Sequence, residues 1–404
     1  MATGRHFEAY GRGEFLGDIG QAAGERMTAL EDFELLRVDA FFRKITNRYR
    51  MPEPVSALVI SHLLGERPAF LRAVGRLAEI AAVLPKPKSI DARALEEVAA
   101  FLPVDGLERA AFADPIRALE YLESRAAGRR IALLDVGGYF APALEHVCAN
   151  FSGQIVGVVE DTENGHQRYA ALGKLPCPVF SVARSPLKDP EDYLVGQSVT
   201  FSAEALIRTR GDILQGRPAA VIGYGKLGRS VAAMLHAKHV GVTVYDSDPI
   251  RRTQALSQGF RTTSTLAQAI AGAGVIVCAT GNLALREDDF ARIPNGAYIA
   301  SVTSSDDELE LGALDGLYER TPTEEHITRY TRTGHYFYLL ADGNAVNFLH
   351  GASVGAFIFL VQAEILAALG SLAAAAHEPG LHELDATERS LIAATWLHYF
   401  DGTQ

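Results

Sequence analysis

The sequence predicts an α/β protein of two Rossmann-like domains with a cleft between them. Three observations predict it. At 404 residues the chain exceeds one ordinary core. Two separate series of short apolar runs alternate with helical stretches, and a glycine-patterned turn opens the second series.

Composition places the chain among ordinary globular proteins, with 48% hydrophobic and 22% charged residues. A net charge of -11 disfavours nucleic acid, because no basic block is present to neutralise phosphates. Cys148, Cys177 and Cys278 lie far apart with no paired spacing. They point to a reducing, cytoplasmic setting and to neither a metal site nor a disulfide framework. Met1–Tyr10 has no apolar core, so no signal peptide is expected. The most apolar stretch, 351–375, is interrupted by Gln362 and Glu364 and rich in Gly, Ala and Ser. It is expected to be a closely packed helix at a domain or subunit contact, not a membrane span.

The elements follow in order. From about 25 to 75 the pattern is helical, as in Phe33, Leu36, Phe41, Phe42 and Ile45. Between about 76 and 195 the candidate strands are Ile80–Leu84, Ile131–Leu134, Ile155–Val159 and Val179–Val182, the signature of a largely parallel sheet. From about 217 come Ala219–Ile222, Val242–Tyr245, Val275–Cys278 and Ala297–Ile299. The series are joined near Leu194–Gln197, which makes a cleft between them the natural place for chemistry.

The strongest motif is Gly223-Tyr224-Gly225-Lys226-Leu227-Gly228, between the run Ala219–Ile222 and a helix over Arg229–His239. One glycine makes the tight turn, one lets the backbone approach a pyrophosphate, and one lets helix and strand pack closely. The pyrophosphate then sits on the helix N-terminus, where free N–H groups favour an anion. Asp246 ends the next strand, where an acidic residue accepts from ribose hydroxyls and would repel a 2′-phosphate. The cofactor read from this pattern is NAD. Lys226 and Leu227 in the turn, Arg251 after Asp246, Thr280-Gly281-Asn282 after the third strand, and Val302 and Thr303 after the fourth are further candidates for its site.

Several segments together resemble the S-adenosylhomocysteine hydrolase family. They are Gly223 through Ile250, Ala279-Thr280-Gly281-Asn282, Gly157 through Gly165, Ser185 through Asp192, and Leu339-Leu340-Ala341-Asp342-Gly343 through Asn347. The resemblance covers roughly 130 to 360. It implies bound NAD that oxidises a sugar hydroxyl to a ketone, loss of the acidified neighbouring proton, departure of the group beta to the carbonyl, and return of the hydride. On these residues it implies Lys188 as the cleft lysine that accepts the hydroxyl proton, and Asp192 as its orienting partner. Thr162 and Asn164, with Glu163 between them, fall where the family meets the nicotinamide ribose. Asp161 replaces a glutamate, and Asn347 matches a cofactor-side asparagine. Asp161 and Asn347 are equally of the types that serve as loop caps.

The departures from the family are as informative. Val136 stands in place of a catalytic aspartate, Ala183 of an asparagine and Gln197 of a cysteine. Two family histidines are absent, at Thr303-Ser304-Ser305 and at Ser353-Val354-Gly355. The family's His-Met-Thr substrate segment is read as replaced by Leu84-Pro85-Lys86-Pro87-Lys88, and the tail lacks the family's basic end.

Cofactor residues and the Lys188–Asp192 pair survive, while groups that grip adenosylhomocysteine and manage water addition do not. The expected activity is therefore a nucleoside dehydratase, giving an unsaturated sugar of the kind found in angustmycin-type antibiotics. Its general acid is sought among His350, His166 and Asp161. A thioether hydrolase of the family type and a catalytically silent NAD-binding regulator stand as alternatives. The substrate is a small nucleoside; neither nucleic acid nor membrane is expected as a partner. The resemblance also implies a homo-oligomer, dimer or tetramer, with the helix 356–372 as an interface. The domain reading is 1–195 with 352–375 for substrate, 196–351 for NAD, and 376–404 as an interface tail, with hinges near 194–197 and 351–354.

Overall fold

The computed structural model describes residues 32–106, 108–303, 308–350 and 354–401. Met1–Tyr10, Ser304, Ser305, Gly351–Ser353 and the tail end from Gly402 lie outside the described residues. Contacts divide the chain into unit 1, Met1–Lys188 with Gly355–Gln404, and unit 2, Asp189–Val354.

The strands in chain order are β1 (Ser56–Leu63), β2 (Glu79–Ile90), β3 (Arg130–Asp135), β4 (Gln154–Glu160), β5 (Pro178–Ser181), β6 (Ala219–Ile222), β7 (Val242–Tyr245), β8 (Arg261–Thr262), β9 (Val275–Cys278), β10 (Ala297–Ser301), β11 (Glu319–Glu324), β12 (Ile327–Arg332), β13 (His335–Leu340) and β14 (Gly380–His382).

Unit 1 holds a six-stranded sheet in the order β14-β5-β4-β3-β1-β2, parallel at every pairing. Its second-innermost strand, β1, lies in the stretch expected to be helical. All but one of its residues are buried, and a strand covered on both faces reads as a continuous apolar run, which periodicity cannot separate from a buried helix. The apolar stretch forms the helix Ile358–Ala374, which lies in the core of unit 1 beside Phe42, Phe70 and Ile392. By length and composition Gly355–Ala374 suffices to cross a membrane, but 78% of its most apolar window is buried within the fold. Its apolar faces are thus already covered, which corrects the expectation that it forms a subunit interface.

The tail is likewise part of unit 1. The helix Ala386–Phe400 buries Ile392 and Trp396, and stacks Trp396 on Phe357 at 4.9 Å. Arg389 bonds the fully buried Glu364 at 2.7 Å, and Arg48 bonds Glu388 at 2.7 Å.

Unit 2 holds an eight-stranded sheet in the order β11-β12-β13-β10-β9-β6-β7-β8. It is parallel from β8 to β13, and an antiparallel extension, β12 and β11, closes one edge. The four strands expected from the second series correspond to β6, β7, β9 and β10. Leu194–Gln197 lie inside the continuous helix Asp189–Thr209, so the chain changes unit at Lys188/Asp189, before that segment. Gly196 sits there because a Cβ would fall 2.4 Å from the Ser230 side chain on the helix Lys226–Ala237.

Candidate functional site

In unit 2 the glycine turn is built by contacts that admit no side chain at two of its three glycines. Gly223 has φ +94, and a Cβ there would lie 2.5 Å from the Ala279 carbonyl oxygen. At Gly228 a Cβ would lie 2.0 Å from the Gly223 carbonyl oxygen. Gly225 differs. It caps the helix Lys226–Ala237 with φ -72 and ψ -165, and the nearest atom to a Cβ is the Arg251 guanidinium at 3.8 Å. The space over Gly225 is open at the N-terminus of a helix, which is the cradle a pyrophosphate requires.

Asp246 is 5% exposed at the end of β7. Its Oδ2 accepts from the Tyr224 N–H at 2.7 Å and its Oδ1 from the Asp248 N–H at 2.8 Å. Each oxygen keeps acceptor capacity for a ribose hydroxyl. Arg251 stands 3.6 Å away. Lys226 bonds Asp189 at 2.8 Å and faces Asp192 at 3.8 Å, while Leu227 packs on the core of this unit.

The loop after β9 is held by a residue that the sequence did not single out. Glu308 accepts from the Gly281 N–H at 2.7 Å, the Thr280 hydroxyl at 2.7 Å and the Thr303 hydroxyl at 3.0 Å. Burial pushes its carboxyl up to about 7, opposed by those donors. The Asn282 N–H donates to Thr280 Oγ1, and the Val302 N–H donates to the Cys278 carbonyl. Glu308 thereby ties together the ends of β9 and β10. Asn347 is 5% exposed, and its Oδ1 has no hydrogen-bond partner among the described residues. His350 lies edge-on to Phe201 at 6.0 Å, and its Nδ1 also has no hydrogen-bond partner among the described residues. Open space over Gly225, the acceptor oxygens of Asp246 and the amide oxygen of Asn347 fit NAD.

In unit 1 the strand order reverses between β1 and β3, the place where open parallel sheets bind ligands at the carboxyl ends of their strands. Val136 and Asp161 follow β3 and β4 there. Glu160 is fully buried and accepts from the N–H groups of Gly137, Gly138, Asp161 and Thr162 and from the Thr162 hydroxyl. Burial, then Asp135 and Asp161, push it up to about 8, against donors that favour the anion. Thr162 also caps the helix Glu163–Ala171, accepting from the Gly165 N–H at 3.0 Å. Glu163 pairs with Arg184 at 2.6 Å, and Asn164 lies in the first turn of that helix. Thr162 and Glu163 thus each have a partner within unit 1. His166 is engaged with the Ser181 hydroxyl at 2.9 Å.

Lys188 ends the turn Pro186–Lys188. It is one of three cations, with Lys86 and Arg67, that act on His62, whose ring is held neutral mainly by burial and then by those charges. His62 bonds Ser89 on β2. The expected substrate segment Leu84–Lys88 is thus part of β2, while His62 belongs to the strand that periodicity concealed. Ser61 was hidden with it, and Arg67 opens the following helix without a motif to mark it. Among the described residues Ser61 Oγ, Arg67 Nε and Asp161 Oδ1 are buried without hydrogen-bond partners, and their residues line one small cavity with Val136.

Residues 196–354 match the family model described as S-adenosyl-L-homocysteine hydrolase, NAD binding domain. The likeness extends beyond that domain to adenosylhomocysteinases themselves. It is 31% identical over 204 residues to the adenosylhomocysteinase of Sulfolobus acidocaldarius, covering 49% of each chain. To that of Thermotoga maritima it is 31% identical over 203 residues, covering 48% of this chain and 49% of the relative. The chain therefore aligns with about half the length of the curated relatives it matches. NAD is the cofactor of the matched domain, and unit 2 is where its residues lie. Among solved structures the chain is similar to dipicolinate synthase, A chain, from Bacillus subtilis, with TM-score 0.41 and 10% identity, covering 87% of this chain and 99% of that one. It is also similar to a phosphoglycerate oxidoreductase from Vibrio cholerae, with TM-score 0.38 and 14% identity, covering 66% and 80% respectively.

Proposed function

We propose that the chain is an NAD-dependent lyase that removes water from an adenine nucleoside bearing a free primary hydroxyl. The observation that carries this reading is the Val136 side chain. It lines a cavity at the end of β3, at the position where the resembled family has an aspartate, and Asp161 is the one carboxylate among the lining residues. A valine cannot move a proton, so the step served by that carboxylate has no group at this position.

NAD bound in unit 2 supplies the hydride acceptor for oxidising a sugar hydroxyl and the donor for reversing it. Lys188 takes the proton of that hydroxyl, and Asp192 positions the amine. The neighbouring carbon then loses its acidified proton, and the hydroxyl beta to the ketone departs with one proton as water. Return of the hydride and a proton leaves an unsaturated sugar, so the net change is loss of one water. Hydroxide is a poor leaving group and needs an acid. Of the three candidates, His166 is occupied by Ser181, and His350, whose Nδ1 has no partner, is assigned that role.

Incubation of NAD-loaded protein in deuterated water with adenosine, read by mass spectrometry, tests the reading. Loss of water with deuterium uptake and transient reduction of the cofactor is expected. Hydrolysis of a thioether is the second reading, favoured by the identity to adenosylhomocysteinases; release of homocysteine from S-adenosylhomocysteine would put it first. Inertness toward both compounds would leave an NAD-binding regulator.

A further inference from the structure

Three strand ends meet in register in unit 1. Ile60 pairs with Asp135, and Leu134 pairs with Val159. Ser61 and Val136 lie one step beyond Ile60 and Asp135, Asp161 lies two steps beyond Val159 and so beside Val136, and Arg67 enters from the first turn of the helix Arg67–Val74. The cavity they share is of water size and otherwise walled by Val59, Phe70, Leu134, Val159 and Ile365. Ser61 is 2% exposed and Arg67 is 5% exposed. Glu66 stands 3.4 Å from the Arg67 terminal nitrogen, so the ion pair leaves Nε unused.

Buried polar atoms without partners are costly, and three around one apolar cavity call for a common partner. Arg67 Nε is a donor only, an ionised Asp161 Oδ1 is an acceptor only, and Ser61 Oγ serves as either. One alcohol satisfies all three: its oxygen accepts from Arg67 and Ser61, and its hydrogen goes to Asp161. A thioether sulfur accepts weakly and donates nothing.

We infer that Ser61, Arg67 and Asp161 form a hydroxyl-reading subsite that selects an alcohol-bearing nucleoside over its thioether or deoxy counterpart. This rests on the nucleoside substrate class proposed above and adds the residues that impose it. Val136 belongs to the same device, because a carboxylate there would pair with Arg67 and fill the slot.

The test is calorimetric binding of adenosine and 5′-deoxyadenosine to the NAD-loaded wild type and to the Ser61→Ala, Arg67→Lys and Asp161→Asn variants, each checked by thermal melt. The wild type should prefer adenosine by about 100-fold or more. Ser61→Ala should cut that preference at least about tenfold while changing the deoxy compound's affinity little. Should one variant fail to fold, the other two carry the same expectation. Equal affinity of the wild type for both nucleosides, unchanged discrimination in the folded variants, or no binding of adenosine at all overturns the subsite. So does a crystal structure with adenosine in which the cavity holds only a water. Discrimination without dehydration keeps the subsite and sinks the lyase; dehydration without discrimination does the reverse.

Discussion

Replacing Gly225 by alanine separates the cost of binding NAD from the cost of folding. The backbone at this position, φ -72 and ψ -165, is open to any L residue, and the added methyl meets nothing nearer than 3.8 Å. Without cofactor the variant should be as stable as the wild type, or more so by up to about 1 kcal/mol through a less flexible unfolded chain. The methyl does occupy the space over the helix N-terminus that the pyrophosphate needs. Wild-type protein at a cofactor concentration 100 times Kd gains about 2.7 kcal/mol, a shift of roughly 5–10 °C for a unit of this size. Gly225→Ala should lose most of that shift. Gly228→Ala is the contrasting variant, since its methyl would sit 2.0 Å from a backbone oxygen, and it should lose about 3 kcal/mol even without NAD. Differential scanning fluorimetry with and without NAD reads all three proteins. An undiminished NAD shift in Gly225→Ala, or a low melting temperature before NAD is added, would refute the assignment of this turn.

Asp246→Asn should weaken NAD about tenfold by isothermal titration and narrow the preference over NADP, because the carboxylate's charge and one of its strong acceptors are lost. Arg389→Leu should destabilise by about 3–5 kcal/mol in urea unfolding, since it leaves the buried Glu364 unpaired; Glu364→Leu added to it should recover much of the loss. An unchanged midpoint in the single variant would rule out a structural role for the pair. Glu308 has a folded pKa of about 7 against an ordinary 4.5, so its protonated form favours the fold. That contribution is fully present below pH 4.5 and is lost as pH rises through 7, by up to about 3 kcal/mol. Wild-type stability relative to Glu308→Gln should fall over this window and level off above it. A difference that stays flat with pH would mean that Gly281, Thr280 and Thr303 hold the carboxylate ionised throughout.

By itself the sequence determined the cofactor half. The glycine turn, Asp246 and the strands around them are local patterns, because a tight turn, a buried strand and a helix N-terminus each leave their mark within a few residues. Asn347 was legible only through resemblance, and its unpartnered oxygen became visible when the surrounding atoms were in place. Strand β1 escaped because burial on both faces erases periodicity, and His62 and Ser61 were lost from view with it; Arg67, in the next helix, carries no motif. Glu308 carries no motif; its meaning lies in three donors from two other loops. The apolar helix was already read as part of the substrate domain, but only the tertiary structure buried it in the core of unit 1, where its hydrophobicity serves packing. Likewise only the register of three parallel strands sets Ser61, Val136 and Asp161 side by side. Spacing along the chain says nothing about which strand ends will be neighbours, because strand order in a parallel sheet follows from how the crossovers pack.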